Sequence, residues 1–359
     1  MSASNVPRRR RERISAIRLH PFEIVSFGAA AVAIAFLRSY ELDYGWNTIA
    51  FTIGELAHRI PLMLVVGVAL RAIATWIVGE PVGAYLRSVA RPRWLVEWLR
   101  LVAAFVAYIY AYLWLKVSIP LLRPDLFDAE IWRIDRWLHV GVSPTVFAIE
   151  LVANTPLAWA IDRYYAYWII VIPVWTAYVY AATGDSERRH FALGVAMLWV
   201  AGSWIYFLVP AVGPCFWSED FLAPVREQMP LVANTQAALW VQYRNLAASE
   251  GRTMLLLSPA LGVAAMPSLH VGAYVFFALW AKRHARRWYR VWILAAVLVF
   301  FGSLATAWHY AVDGYVGALL AWAAVRVADR LEPAAGENPP ASSTEAPESG
   351  AEAATGGAP

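Results

Sequence analysis

Eight stretches of this sequence stay apolar for close to the ~20 residues that an α-helix needs to cross the hydrocarbon of a bilayer: 21–37, 60–79, 101–121, 160–182, 191–209, 261–281, 291–308 and 309–327. Backbone groups in lipid must be hydrogen-bonded within their own element, so runs of this length are expected to be helical. The composition agrees, with 60% hydrophobic and 16% charged side chains against roughly 45–50% and about 25% in soluble domains. The expected fold is an all-α, polytopic membrane helical bundle of about eight transmembrane helices. The last two runs almost touch, which requires a very tight turn at Trp308 and His309. One cysteine, Cys215, excludes an internal disulfide framework and any multi-cysteine metal site.

Arg8, Arg9, Arg10, Arg11 and Arg13 precede the first run as the basic region of a signal peptide does. Arg38, Tyr40 and Glu41 follow it with no small-residue cleavage site, so a retained signal anchor is expected. Most of the 30 lysines and arginines fall on one face: those before the first run, Arg87 to Arg100 before the third, Arg188 and Arg189, Lys282 to Arg290, and Arg326 and Arg330. The positive-inside tendency makes that face cytoplasmic, with both termini on it, and leaves 122–160 and 210–260 facing outward from the plasma membrane. The basic clusters are thus orientation signals, and no nucleic-acid partner is expected. In the first outward segment Asp128, Glu130, Asp135 and Arg136 alternate with Ile131, Trp132, Ile134 and Trp137 at a spacing suited to an interfacial helix. The expected organisation is a basic N-terminus (1–20), two additional transmembrane helices (21–100), a catalytic membrane domain (101–330) and a disordered Pro-, Ser- and Gly-rich tail (331–359).

Ionisable groups at membrane depth usually face a cavity or a partner, and four polar or irregular clusters stand at the outward ends of runs. Lys116 and Arg123 are two helical turns apart, so both cations fall on one side of a helix, although Pro120 lies between them. Their plainer reading is a pair of side chains snorkelling to headgroups. In Met266-Pro267-Ser268-Leu269-His270, Pro267 suits a first helical position, which would leave the N–H groups of Ser268 and its neighbours free to face an anion. His270 is there either a proton carrier or a satisfied interfacial histidine. His309 and Asp313 are i and i+4, so their side chains should meet on one helix face. A carboxylate holding Nδ1–H would leave Nε2 bare and aimed outward, as a nucleophile or base requires; the plainer reading is a bridge between helix turns. Residues 206–214, with Pro210, Gly213 and Pro214, either line a site or simply end a helix. The orientation rests on arginines elsewhere, yet all four clusters fall on the outward face.

In that order these residues resemble the type 2 phosphatidic acid phosphatase (PAP2) superfamily, whose motifs read K-x6-R-P, P-S-G-H and S-R-x5-H-x3-D. Lys116 to Pro124 matches the first; Pro267, Ser268 and His270 match the second; His309 and Asp313 match the third. The wording from Ala265 to Gly272 and from His309 to Gly314 is similar to the branch that contains the inositol phosphorylceramide synthases. The likeness spans 101–327 and implies a six-helix core. Two departures stand out. Leu269 replaces the glycine of the second motif, and Gly302 and Ser303 stand where the third has Ser-Arg, so its arginine is missing. Arg163, Arg244 and Arg252 are the candidates to replace it.

The resemblance implies an integral-membrane enzyme that moves or removes the phosphoryl head of a lipid. His309 would form a phosphohistidine, Asp313 would fix its tautomer, His270 would act as acid and base, and Lys116, Arg123 and Ser268 would hold the phosphate. It implies no cofactor and no metal; the partners are a membrane lipid with a phosphate headgroup and either water or an alcohol or polyol acceptor. A site at the outward helix ends suits a headgroup phosphate, and Trp132, Trp137, Tyr164, Tyr165 and Trp217 suit interfacial anchoring. Two other functions compete. One is a zinc or iron site built from His270, His309 and Asp313, which Lys116 and Arg123 would oppose by repelling a cation. The other is a non-catalytic lipid-binding or transport protein whose basic residues only hold headgroups.

Overall fold

The apolar runs fold as helices. The computed structural model describes residues 19–42, 46–57, 59–248 and 262–333, and no strand occurs among them. The basic residues before position 19, Arg252, the start of the sixth run at Leu261 and the tail from 334 lie outside the described residues. The N-terminal part consists of α1 (Pro21–Arg38), α2 (Trp46–Ala57), α3 (Arg59–Ile77) and the short α4 (Val82–Val89). Next come α5 (Pro92–Leu122), α6 (Asp128–Leu138), α7 (Pro144–Val152), α8 (Pro156–Ala182) and α9 (Asp185–Leu208). Three helices, α10 (Pro214–Trp217), α11 (Glu219–Gln228) and α12 (Pro230–Ala248), precede the final α13 (Leu269–His284), α14 (Tyr289–Ala305) and α15 (Ala311–Leu331). Proline sets several starts, because its missing N–H is no loss in a first turn. Pro144 and Pro156 stand behind Ser143 and Thr155, whose hydroxyls accept from the amides of Val146 and Leu157.

Among the described residues, seven helical stretches are long and apolar enough to cross a membrane: α1, 50–77, α5, α8, α9, 286–305 and α15. The sixth expected run, 261–281, is missing from these seven and is helical over only 16 residues, as α13. Ser268 ends the preceding irregular chain by capping α13 with its hydroxyl, so Pro267 lies before the cap and not at the first helical position. A shorter helix suffices there because α13 is enclosed by protein, with Leu269, Phe276, Trp280 and Ala281 fully buried. The outer faces of the bundle are apolar instead of polar. Leu62, Val65 and Trp76 on α3, Ile169 and Ile170 on α8, Leu294 and Val297 on α14, and Leu319 and Trp322 on α15 are all exposed. A surface of that kind belongs in lipid, and the molecule is an all-α polytopic membrane protein.

Six long helices surround the core: α13 packs on α15, α14 and α9, while α5 lies on α9 and α8 on α14. α1 packs on α5 and α9, and α3 on α8. The buried Glu23 carboxylate fastens α1, accepting the His20 amide at 2.7 Å and Nε of Arg100 on α5 at 2.7 Å.

The tightest seam joins α13 to α15, where two glycines let the backbones approach. A Cβ on Gly317 would collide with the Ser268 carbonyl, and one on Gly272 would stand 3.0 Å from the Gly317 carbonyl oxygen. Gly317→Val should therefore lower stability by about 1–3 kcal/mol through overpacking, read as a drop in melting temperature of the purified protein. Gly28→Val, where nothing lies within 4 Å, should leave it unchanged. An unaltered melt for Gly317→Val would show that the seam is loose.

Candidate active site

Six helix ends gather at one end of the bundle, and the loops between them are tied by backbone bonds. Ala265 donates to the Ala211 carbonyl at 2.8 Å, Cys215 to Ala307 at 2.8 Å, and Ser268 to Asp313 at 2.9 Å. The four sequence clusters thus meet. The turn between α14 and α15 is as tight as expected: Ala307 adopts φ +53, and the amides of Trp308 and His309 both reach the Ser303 carbonyl. Gly213 adopts φ +94, and a side chain there would strike the Trp308 carbonyl, so only glycine fits.

At this junction Asp313, His309 and His270 form a line. His309 Nδ1 lies 3.3 Å from Asp313 Oδ2, and His309 Nε2 lies 3.3 Å from His270 Nδ1. His309 precedes α15, whose N-cap is Tyr310, so the pair spans the helix start and does not lie along a helix face. The reason is the cap itself: Asp313 Oδ2 also accepts the Tyr310 amide at 3.0 Å, while its Oδ1 has no partner among the described residues. Nε2 of His309 does not point into open space as the sequence suggests, because His270 covers it. The His270 ring in turn packs edge-on against Trp168, centroids 4.0 Å apart.

Asp128 and Asp135, expected on the face of an interfacial helix, are both fully buried. Asp128 accepts the Val212 and Gly213 amides at 2.9 and 2.8 Å and the Tyr310 hydroxyl at 2.9 Å. Asp135 accepts the Val312 amide at 2.9 Å, in the first turn of α15. Burial pushes both carboxyls above the usual carboxylate range, and the donated hydrogen bonds pull them part of the way back. The signal available in the sequence was two aspartates seven apart on a helix, which reads equally well as a solvated stripe.

A cavity of about 180 Å³ adjoins His270, well above the ~10–15 Å³ that holds one water. Lys116, Tyr165, Trp168, Val212, Phe216 and Trp308 are in its wall. The Lys116 ammonium stands 3.3 Å from the Tyr112 hydroxyl and over the Tyr112 and Tyr206 rings at 5.5 and 5.8 Å, with no carboxylate paired to it among the described residues. α12 forms the far wall through Val232, Thr235 and Leu239. It is anchored by Asp162, which caps its first turn through the Leu231 and Val232 amides at 3.2 and 2.8 Å. This gives the segment after Phe216 a place in the site that its sequence does not announce. Cys215 is buried beside it, and burial raises its thiol well above the ordinary range, away from thiolate chemistry.

Two expected phosphate contacts sit differently. Arg123 is not in the cavity wall; its guanidinium donates to the Phe207 carbonyl at 3.1 Å and lies over the Phe207 ring. The Ser268 amide is already bonded to Asp313 and is not free for an anion, and its hydroxyl accepts the Val271 amide at 3.4 Å. At the position of the absent arginine, Ser303 is buried and donates to Phe300, while the Tyr165 ring covers Gly302. Neither Arg163, stacked on Trp159 at 4.1 Å, nor Arg244 lines the cavity. Among the described residues no group of three or more His, Cys, Asp or Glu side chains is spaced to hold a metal ion.

The sequence profile of the PAP2 superfamily matches residues 129–327, more than half of the chain. That stretch contains Ser268, His270, His309 and Asp313, but neither Lys116 nor Arg123. No curated protein and no solved structure matches the chain.

Replacing Asp128 by asparagine keeps the shape but turns one acceptor oxygen into an NH2 that faces a donor. Asp128→Asn should destabilise the protein by about 1–3 kcal/mol, and Tyr310→Phe, which removes one of three bonds, by less. Thermal unfolding of the two variants checks this ranking. Equal melting temperatures for Asp128→Asn and wild type would mean the loop is held by other contacts.

Proposed function

The chain belongs to the PAP2 superfamily, and on that premise we propose that it is an integral-membrane phosphoryl-transfer enzyme acting on the phosphate of a lipid headgroup. The observation that carries this reading is the Asp313–His309–His270 line ending at a cavity that holds an unpaired lysine. A superfamily match alone would leave open whether the chemistry-bearing residues survive in this chain. Their convergence from α13, α15 and α5 supports a working site.

The proposed reaction follows from the residues. With Nδ1–H of His309 donated to Asp313, the Nε2 lone pair attacks phosphorus in line and forms the N–P bond of a phosphohistidine. The bond from phosphorus to the leaving oxygen breaks, and His270, protonated at the start, delivers its proton to that oxygen. His270 then takes a proton from water or from an acceptor alcohol, whose oxygen attacks phosphorus and restores His309. Lys116 stabilises the non-bridging oxygens, the kind of electrostatic help on which phosphoryl transfer mostly relies. Arg123 would join it only by leaving the Phe207 carbonyl, and Ser268 would contribute its hydroxyl proton.

The cavity wall favours a lipid. Ile169, exposed on the apolar outer face of α8, and Thr235, exposed on α12, both border it, so a headgroup can enter sideways while its tails remain among the exposed side chains of α8. Among the described residues Lys116 is the one Lys or Arg side chain in a wall that is otherwise mostly aromatic and aliphatic, which matches the one charge of a phosphodiester better than the two of a monoester. That favours transfer of a headgroup to an alcohol, as in the inositol phosphorylceramide synthases, over hydrolysis of a lipid monophosphate. The orientation read from the arginines would put this end of the bundle on the outer face of the membrane.

Purified protein incubated with a mixed lipid extract, with and without polyols, should give new headgroup products by mass spectrometry. An acid-labile phosphate should be trapped on His309. His309→Ala should reduce turnover by about 10³-fold or more. His270→Ala should lose about 10²–10⁴-fold and be rescued by substrates with good leaving groups. Lys116→Ala should weaken substrate binding. Phospholipid binding without any product, indifferent to His309→Ala, would make this a lipid-binding or transport protein. Loss of activity to a chelator, restored by zinc or iron, would replace the phosphohistidine with metal chemistry.

A further inference from the structure

α13 carries His270 in its first turn and ends at His284, about 20 Å away at ~1.5 Å per residue, and a second polar cavity lies at that other end. It occupies about 300 Å³ between the end of α8, Arg71 of α3 and the 3-10 turn Arg286–Trp288. Three arginines, Arg71, Arg286 and Arg287, are in its wall, and no carboxylate lines it. Glu80 reaches Arg71 from outside at 3.7 Å, and Arg287 donates to the Tyr178 hydroxyl at 3.2 Å. Arg286 has no partner among the described residues. Three positive side chains thus border one hollow, and among the described residues only Arg71 has a carboxylate beside it; bringing a negative group among them would be favourable.

A second observation points the same way. Trp175, Trp280, Trp288 and His284 are also in this wall, and the indole N–H groups of the three tryptophans and Nε2 of His284 are buried without a hydrogen-bond partner among the described residues. Trp280 is 0% exposed. An indole nitrogen can only donate, and leaving such a donor dry and unpaired is unfavourable. The wall therefore combines three cations with side chains that carry unpaired donors, and it has no carboxylate of its own. A tetrahedral phosphate, with several acceptor oxygens and a negative charge, complements that set, and basic pockets between membrane helices are where phospholipid headgroups are held.

We propose that this cavity is a second, non-catalytic binding site for a phosphate anion, supplied by a phospholipid headgroup or by free phosphate, at the end of the bundle opposite His309. The site does not depend on the phosphoryl-transfer reading, since it shares no residue with the first cavity.

Delipidated full-length protein in detergent should be titrated with short-chain phosphatidylglycerol, with phosphatidylcholine and with inorganic phosphate, counting bound molecules by native mass spectrometry. One phosphatidylglycerol should be retained whose affinity falls by about tenfold or more in Arg286→Ala/Arg287→Ala, and by less in Trp280→Phe. Lys116→Ala, at the other cavity, should leave it in place. If inorganic phosphate fails to displace that molecule, the headgroup is the ligand; if phosphate binds with the same arginine dependence, free phosphate is. Should the double variant fail to fold, Arg286→Ala alone, which breaks no contact, must weaken the binding. Equal retention of phosphatidylcholine, or binding of either anion untouched by the arginine substitutions, overturns the proposal.

Discussion

Asp128 accepts from the amides of Val212 and Gly213 and from the Tyr310 hydroxyl, and through these bonds three distant segments of chain act as one body. A carboxylate removed from water is strongly unfavourable unless its lone pairs are filled. Once α6 has carried Asp128 inside, the loop after α9 and the cap of α15 have few other places to go. The consequence reaches the chemistry in two steps. Tyr310 is the N-cap of α15, its own amide binds Asp313, and Asp313 faces His309. Asp135 adds a second tie one helical turn of α15 away, at Val312. The two aspartates therefore act on the imidazoles by positioning, without touching them.

Much of this was legible in the chain and some was not, for reasons that differ residue by residue. The helices could be read because lipid admits almost no other backbone, so hydrophobic length alone identified them. The meeting of His270, His309 and Asp313 could be read because spacing on a helix and placement at one set of helix ends are both linear properties. The same linearity misled at finer grain. Pro267 looked like a helix start, but the serine after it is the better cap, and the helix begins beyond it. The i, i+4 spacing of His309 and Asp313 suggested a shared helix face, whereas the aspartate is the third residue of the helix and the histidine lies outside it. Asp128, Asp135 and Asp162 escaped because a carboxylate that caps a remote loop has the same sequence signature as one in solvent. Lys116 and Arg123 were paired by two-turn spacing, yet the carbonyl end of α9 takes the arginine.

The missing arginine can be understood the same way. Gly302 has space taken by the Tyr165 ring, and Tyr165 and Trp168 together wall the cavity beside it. The position of the arginine itself is taken by Ser303, which is buried and donates to the Phe300 carbonyl. Lys116 is likewise framed by two tyrosine faces, which attract a cation without neutralising it. Aromatic side chains thus line one side of the cavity and the lysine the other.

In the proposed reaction, the contact between His270 and His309 would restrict when attack can occur. At 3.3 Å the facing nitrogens can share a proton but cannot both carry one. If His309 holds its proton on Nδ1 for Asp313, the shared proton must come from His270, and it then occupies the lone pair that a nucleophile needs. On the proposed mechanism, attack would therefore be blocked in the resting arrangement. His270 also lines the cavity and His309 does not, so an incoming phosphate meets His270 first. Movement of His270 toward the leaving oxygen would bare His309 in the same motion that brings the acid to its substrate. Coupling of that kind would keep the nucleophile covered until a phosphate is in place, and it requires only one side chain, seated against Trp168, to turn.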